Sequence, residues 1–238
     1  MRVSLSFYFK NYVSSSNKGN ALFLILIAVA LFAAVSYAVT QSGRGSGNID
    51  RETATLDAAM LVQYAASIQQ AMQRMRLVNG TTDAEFSFYS PDWGDNQYIH
   101  GTPQPAENRV FSPGDGGVPF RPAGDFGASY FLFTGQNAVA GLGACADNSA
   151  STCKELLLLL VGVPDAVCSA INRALIGTSA IPGDGIAANN TAGNKFTGSY
   201  GTSTSISYYI STGLFVEKNS GCLLDAGLNV FYHALVER

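Results

Sequence analysis

From Ala21 to Val39 the chain carries only aliphatic side chains and phenylalanine, with Ser36 and Tyr37 as the two exceptions, and no charge lies between Lys18 and Arg44. Such a stretch can enter a bilayer without burying a charge, and no other feature limits the possible folds as sharply. The residues before it contain Arg2, Lys10 and Lys18 and no Asp or Glu. Positive charge on that side holds the N-terminus in the cytoplasm and sends everything after Val39 across the membrane.

Of the 238 residues, roughly 190 remain beyond this segment, enough for one domain with a real core. Only 13% of the chain is charged, while Gly reaches 25, Phe 14 and Tyr 11. That mixture favours short strands, turns and aromatic packing. The net charge is -3, and setting aside the three leading basic residues leaves the remainder at about -6, which argues against nucleic acid as a partner.

Four cysteines, Cys145, Cys153, Cys168 and Cys222, fall in the second half. An even number in an exported domain reads as two disulfides. Three pairings are open; spacing favours Cys145 with Cys153 as a local staple and Cys168 with Cys222 tying a helix to the C-terminal region. A zinc site is disfavoured, because there is no C-x-x-C and the two histidines, His100 and His233, lie far apart. No cofactor is expected.

Three readings of the N-terminus compete. Ser36-Tyr37-Ala38 offers small residues for signal cleavage after Ala38, although the apolar stretch is long for a cleaved signal. A signal anchor that stays in the membrane explains the hydropathy and the charge asymmetry. The third reading rests on Ser14-Ser15-Ser16-Asn17-Lys18-Gly19-Asn20-Ala21-Leu22-Phe23-Leu24-Ile25-Leu26-Ile27. A polar, basic leader ending in Gly directly before a long apolar helix resembles the class III leader of type IV pilins and type II secretion pseudopilins.

The resemblance implies cleavage by a prepilin peptidase between Gly19 and Asn20, leaving an assembly helix that presents Leu22, Leu24, Leu26, Val29 and Phe32. Asn20 stands where the family usually has Phe, and Leu24 where it usually has Glu. The missing carboxylate points to a minor or divergent subunit. The implied partners are the prepilin peptidase, copies of the chain or related pilin-like subunits, and the bacterial inner membrane.

A second helix follows. Leu56, Met60, Tyr64, Ile68, Met72 and Met75 recur at spacings of four and three, the mark of an amphipathic helix. Asp50, Glu52 and Asp57 lie near its start and Arg74 and Arg76 near its end, matching the helix dipole. Asn79-Gly80 supplies a stop. Gly43, Gly45 and Gly47 predict a hinge between the two helices. The expected organisation is leader 1–19, transmembrane or filament-core helix 20–41, Gly/Ser hinge 42–49, amphipathic helix 50–78 and exported strand-rich domain 79–238.

Within that domain 85–89 and 130–133 read as strands, separated by a proline-rich surface stretch. Residues 154–161, with five consecutive leucines, and 165–176, opened by Pro164 and ended by Gly177, read as a helical pair. Residues 205–211, 213–217 and 228–236 read as strands with a turn at Asn219-Ser220-Gly221, and the Gly- and Asn-rich segment 183–201 as a mobile loop. The fold class expected is α+β: N-terminal membrane helix, amphipathic helix, then an antiparallel-sheet domain with one helical pair.

No catalytic constellation is present: there is no G-x-S-x-G elbow and no P-loop, and Gly183-Asp184-Gly185 lacks the preceding strand of a dinucleotide loop. Asp92-Trp93-Gly94-Asp95-Asn96 gathers oxygen ligands, with Asp92 and Asp95 as a weak calcium candidate against the simpler reading of a solvated turn. His233 is expected on a strand face shared with Phe231 and Leu235. The sequence therefore predicts a non-enzymatic structural subunit of a pilus or pseudopilus-like filament, in the inner membrane with its C-terminal domain outside the cytoplasm, or in a cell-surface filament. The alternatives are a monomeric membrane-anchored periplasmic or extracellular binding or adhesion domain and, third, a secreted enzyme of unrecognised type.

Overall fold

A computed structural model describes residues 18–42, 46–100, 108–113, 116–143, 154–201, 209–210 and 213–238. The chain divides into two compact units, with the boundary between Ile49 and Asp50.

The first unit holds α1, Lys18–Ser42. Its 25 residues rise through about 37 Å at 1.5 Å per residue. The helix begins two residues earlier than the expected 20–41. The next helix, α2, runs Ser46–Asn79, so residues 46–49, expected in the hinge, are helical. One glycine in a helix costs only about 1 kcal/mol, which 34 residues of helix absorb. Gly43 lies outside the described residues, as does Gly45. At the far end Gly80 takes the left-handed φ of 69° that ends the helix.

The second unit is a five-stranded sheet with helices on one face. Its strands are β1 Tyr130–Val139, β2 Glu155–Val161, β3 Tyr209–Ile210, β4 Ser220–Asp225 and β5 Leu228–Val236, in the order β3-β1-β2-β5-β4. Neighbours are antiparallel except β1 with β3. The remaining helix, α3, is Asp165–Ile176.

The expected helical pair is thus a strand and a helix: β2 replaces the first member. A run of five leucines ended by Gly162 is too short for a stable helix, and period alone cannot separate buried helix from buried strand. β2 lies between β1 and β5 and is buried along its whole length. Leu156, Leu158 and Leu160 join the core on one face, Leu157, Leu159 and Val161 that on the other. A strand covered on both faces needs apolar residues at every position, which hides its alternation.

The first core lies between sheet and helices. Leu61, Tyr64, Ala65, Ile68, Met72 and Met75 of α2, with Val167 and Ile171 of α3, pack on Phe131, Phe133, Phe231 and Leu235. Of the expected stripe of α2, Tyr64, Ile68, Met72 and Met75 are buried, but Leu56 and Met60 are exposed and Ala54, Ala58 and Leu61 hold the buried side before Tyr64. Aromatic rings fill the space beside it, with Phe88 stacked on Phe133 at 4.0 Å between centroids and Trp93 on Tyr98 at 4.8 Å. Segment 85–89 makes one bridge, Ser87 to Arg109, in place of a strand, yet it buries Phe86 and Phe88 completely.

The other face is covered by chain that sequence alone read otherwise. Of the supposed mobile loop, Ile186 and Ala188 join the core on this face and Ala187 is buried with them, while Phe196 is buried in the helix-side core. Asn137 Oδ1 accepts from the Ala187 N–H at 2.7 Å, and the Phe133 carbonyl from the Phe196 N–H at 2.8 Å. A few small apolar residues with paired backbone polar groups suffice to dock it. Residues 213–217 form a turn that buries Phe215, not a strand. The turn expected at Asn219-Ser220-Gly221 lies two-thirds inside β4; the hairpin turn is Ala226-Gly227, with φ of 48° and 84°. Positive φ at both central residues suits the right-handed twist of the strands it joins.

Candidate functional site

Lys18 and the residues after it set α1 apart from every other element. Its described apolar side chains are exposed around the whole helix: Phe23, Ile25, Leu26, Ile27, Val29, Leu31, Phe32 and Val35 are each at least 41% accessible, and Phe32 reaches 76%. In α2 and α3, by contrast, apolar residues gather on one side against the sheet. The stretch of α1 with described side chains, Phe23 and 25–37, is shorter than the ~20 residues of a bilayer span. Among the described residues no helix is long and apolar enough to cross a membrane.

Of the residues expected to matter here, Gly19 and Asn20 lie in the first turn of α1, and Leu22 and Leu24 are on its backbone path. Leu26, Val29 and Phe32 are exposed. From Leu26 to Val29 to Phe32 the steps are three residues each, turning about 300° per step, so the three drift slowly around the helix.

Cys168 on α3 and Cys222 on β4 form a disulfide with their Cα atoms 5.4 Å apart, the pairing that spacing favoured for these two. Cys145 and Cys153 lie outside the described residues. The bridge sits in the helix-side core with both cysteines fully buried. One turn further along α3, the buried side chain of Asn172 reaches the same strand residue. Its Oδ1 accepts from the Cys222 N–H at 2.8 Å, and its Nδ2 donates to the Cys222 and Ala180 carbonyls, each at 2.7 Å. Sequence reasoning missed this residue; the signal is its i, i+4 spacing from Cys168.

The two aspartates do not act together. Asp92 is exposed in a turn, its own N–H donating to Ser90 Oγ at 3.3 Å. Asp95 Oδ1 accepts from the Gln97 N–H at 3.0 Å and caps a short 3-10 turn, while Oδ2 pairs with Lys195 Nζ. The ammonium also donates to Gln97 Oε1 at 2.6 Å and lies 5.5 Å from the centre of the Tyr98 ring. Of the two aspartates in the calcium reading, Asp95 is thus committed to a lysine. Among the described residues no group of His, Cys, Asp and Glu could hold a metal ion.

Two titratable groups are buried in the sheet. His233 shares its face with Phe231 and Leu235, as alternation predicts. Its Nδ1 is bonded to Ser220 Oγ and its Nε2 lies 3.3 Å from Gln69 Oε1 on α2. Burial pushes its pKa down to about 4. Gln69 also donates from Nε2 to the Ala234 carbonyl at 3.0 Å, so the neutral ring belongs to the joint between α2 and β5. Serine and histidine meet here, but both are buried, leaving no access for a substrate.

Glu155 lies opposite Asn137, where the β1–β2 register slips. Its Oε2 accepts from the Val139 N–H at 2.9 Å, and burial raises its pKa to about 7. Such a carboxyl is a proton-holding group, placed to bridge an irregular stretch of sheet.

A shallow hollow of about 370 Å³ lies along the outer flank of α2, lined by Ser67, Gln70, Arg74 and 116–119. Arg74 Nη2 donates to the Gly116 carbonyl at 2.5 Å across its floor. It brings together no nucleophile and base. No protein-family model, no curated protein and no solved structure matches the chain.

Proposed function

We propose that this chain is a structural subunit of a pilus or pseudopilus-like filament, minor or divergent, held in the bacterial inner membrane by α1 with the sheet domain outside the cytoplasm. One observation carries the reading: α1 exposes apolar side chains around its whole circumference. A helix of that kind is stable only among apolar neighbours, either lipid or other helices like itself. The acid-free basic leader orients it, and the Lys18-Gly19-Asn20 junction supplies the processing point. α2 and the disulfide-braced sheet then form the outer body. Assembly is the mechanism; the protein makes and breaks no bond.

The mass of the mature protein tests the processing step. Loss of residues 1–19 supports this reading, loss of 1–38 indicates a secretory signal, and an uncut chain indicates a plain anchor. Gly19→Ala should block the cut, and normal processing of that variant would sink the claim. Cysteines introduced near Leu26 should crosslink into ladders in membranes. A chain that yields no ladder is instead a monomeric anchored domain.

A further inference from the structure

Cys222 is held from α3 by two side chains one helical turn apart, Cys168 through sulfur and Asn172 through hydrogen bonds to both backbone polar groups of the same residue. We infer that Asn172 is a positioning residue for this disulfide: it fixes the Cys222 backbone opposite Cys168 before the sulfurs are joined, and so sets how readily the exported domain closes the bridge.

The geometry follows from where β4 lies. It is the last strand of the sheet beyond β5, so its outer backbone groups face no further strand. Unpaired buried N–H and C=O groups are costly. At Leu224 they are met by chain, the Leu224 N–H donating to the Pro182 carbonyl at 2.9 Å and the Leu224 carbonyl accepting from the Asp184 N–H at 3.1 Å. At Cys222 a side-chain amide takes that part. Asn172 is fully buried, and its third bond, to Ala180, fixes the amide plane from the other side. None of these three bonds involves a sulfur atom. They can form while both cysteines are thiols, and Cys168, four residues before Asn172 on the same helix face, is carried to Cys222 by the same docking.

With oxidised glutathione as the oxidant the step balances. One protein thiolate attacks the glutathione disulfide, forming a mixed disulfide and releasing one glutathione thiolate. The second protein thiolate then attacks the protein sulfur of that mixed disulfide, joining Cys168 to Cys222 and releasing the second glutathione. Two electrons pass from the cysteine pair to glutathione, and the two thiol protons end on the glutathione thiolates or in solvent. Asn172 takes no part in electron transfer. It raises the effective concentration of one cysteine at the other.

The test is the equilibrium constant of the full-length chain, in detergent micelles, against glutathione redox buffers, with the Cys168–Cys222 bridge read by peptide mass. These bonds are present in both redox states of the parent. In Asn172→Ala the reduced chain relaxes away from the closing geometry while the oxidised chain is still held by the sulfur link, so the constant should fall several-fold, by less than the about fivefold per lost bond that a neutral hydrogen bond is worth. Asn172→Asp keeps the acceptor for the Cys222 N–H, loses both donated bonds, and should fall between, which keeps the test usable if the alanine variant does not fold. Ile171→Val trims the neighbouring core residue and leaves the amide in place; its cost falls on both redox states alike, so its constant should match the parent. Hydrogen exchange of the reduced parent should show the Cys222 amide protected, and Asn172→Ala should lose that protection. The inference is overturned if Asn172→Ala stays within twofold of the parent, if Ile171→Val falls equally, or if the Cys222 amide exchanges freely in the reduced parent.

Discussion

Glu155 and His233 are both buried in the sheet, yet they bend stability in opposite directions as pH changes. For Glu155 the folded pKa, about 7, lies above the ordinary carboxylate value because of burial. Its contribution is complete below about pH 4.5 and is lost as pH rises through 7, a span worth roughly 3 kcal/mol. For His233 the folded pKa, about 4, lies below the ordinary value of 6.5 for the same reason. Its contribution is present above about pH 6.5 and is lost as pH falls through 4, again by roughly 3 kcal/mol. Between these limits the two slopes largely cancel. Glu155→Gln retains an oxygen for the Val139 N–H and cannot ionise. Denaturant titration should find it about as stable as the parent at pH 4 and more stable by roughly 2 to 3 kcal/mol at pH 8; an equal difference at both values would mean the carboxyl is not the titrating group.

Among the elements, α2 illustrates both what the sequence reveals and what it hides. Its existence, its body over residues 50–78 and its stop at Gly80 follow from period, charge placement and one glycine, while its start lies four residues earlier than read. Its buried face follows from Tyr64 onward but not before it, because Leu56 and Met60 continue a spacing of four that drifts around a helix of 3.6 residues per turn. Small residues, Ala54, Ala58 and Ala65, hold the true face, and alanine gives little signal in a hydropathy pattern. Two chemically identical substitutions separate the faces. Leu61→Ala should cost about 3 kcal/mol in chemical unfolding, whereas Leu56→Ala should change stability by less than about 1 kcal/mol. β2 was hidden for another reason, since a strand buried on both faces has no alternation to read. The cover at 186–188 was hidden because its docking depends on the bond from the Ala187 N–H to Asn137 Oδ1, a partner fifty residues distant. The Cys168–Cys222 bridge was legible from spacing, whereas Asn172 beside it was missed, since its i, i+4 spacing from Cys168 gains meaning only once the partner strand is placed.

For the molecule as a whole, both apolar clusters are built from residues 54–236, which makes the second unit self-sufficient in core. A fragment of residues 50–238 should be monomeric by sedimentation without detergent and should melt within about 3 °C of the full chain in micelles, as expected when little core is lost. A large drop in its melting temperature would place part of the core in α1. The bonds of Gln69 to His233 and Ala234 join the helix that follows α1 directly to the last strand, β5. A pull applied at α2 would therefore reach β5 through this joint, a path that bypasses the chain between residues 79 and 228.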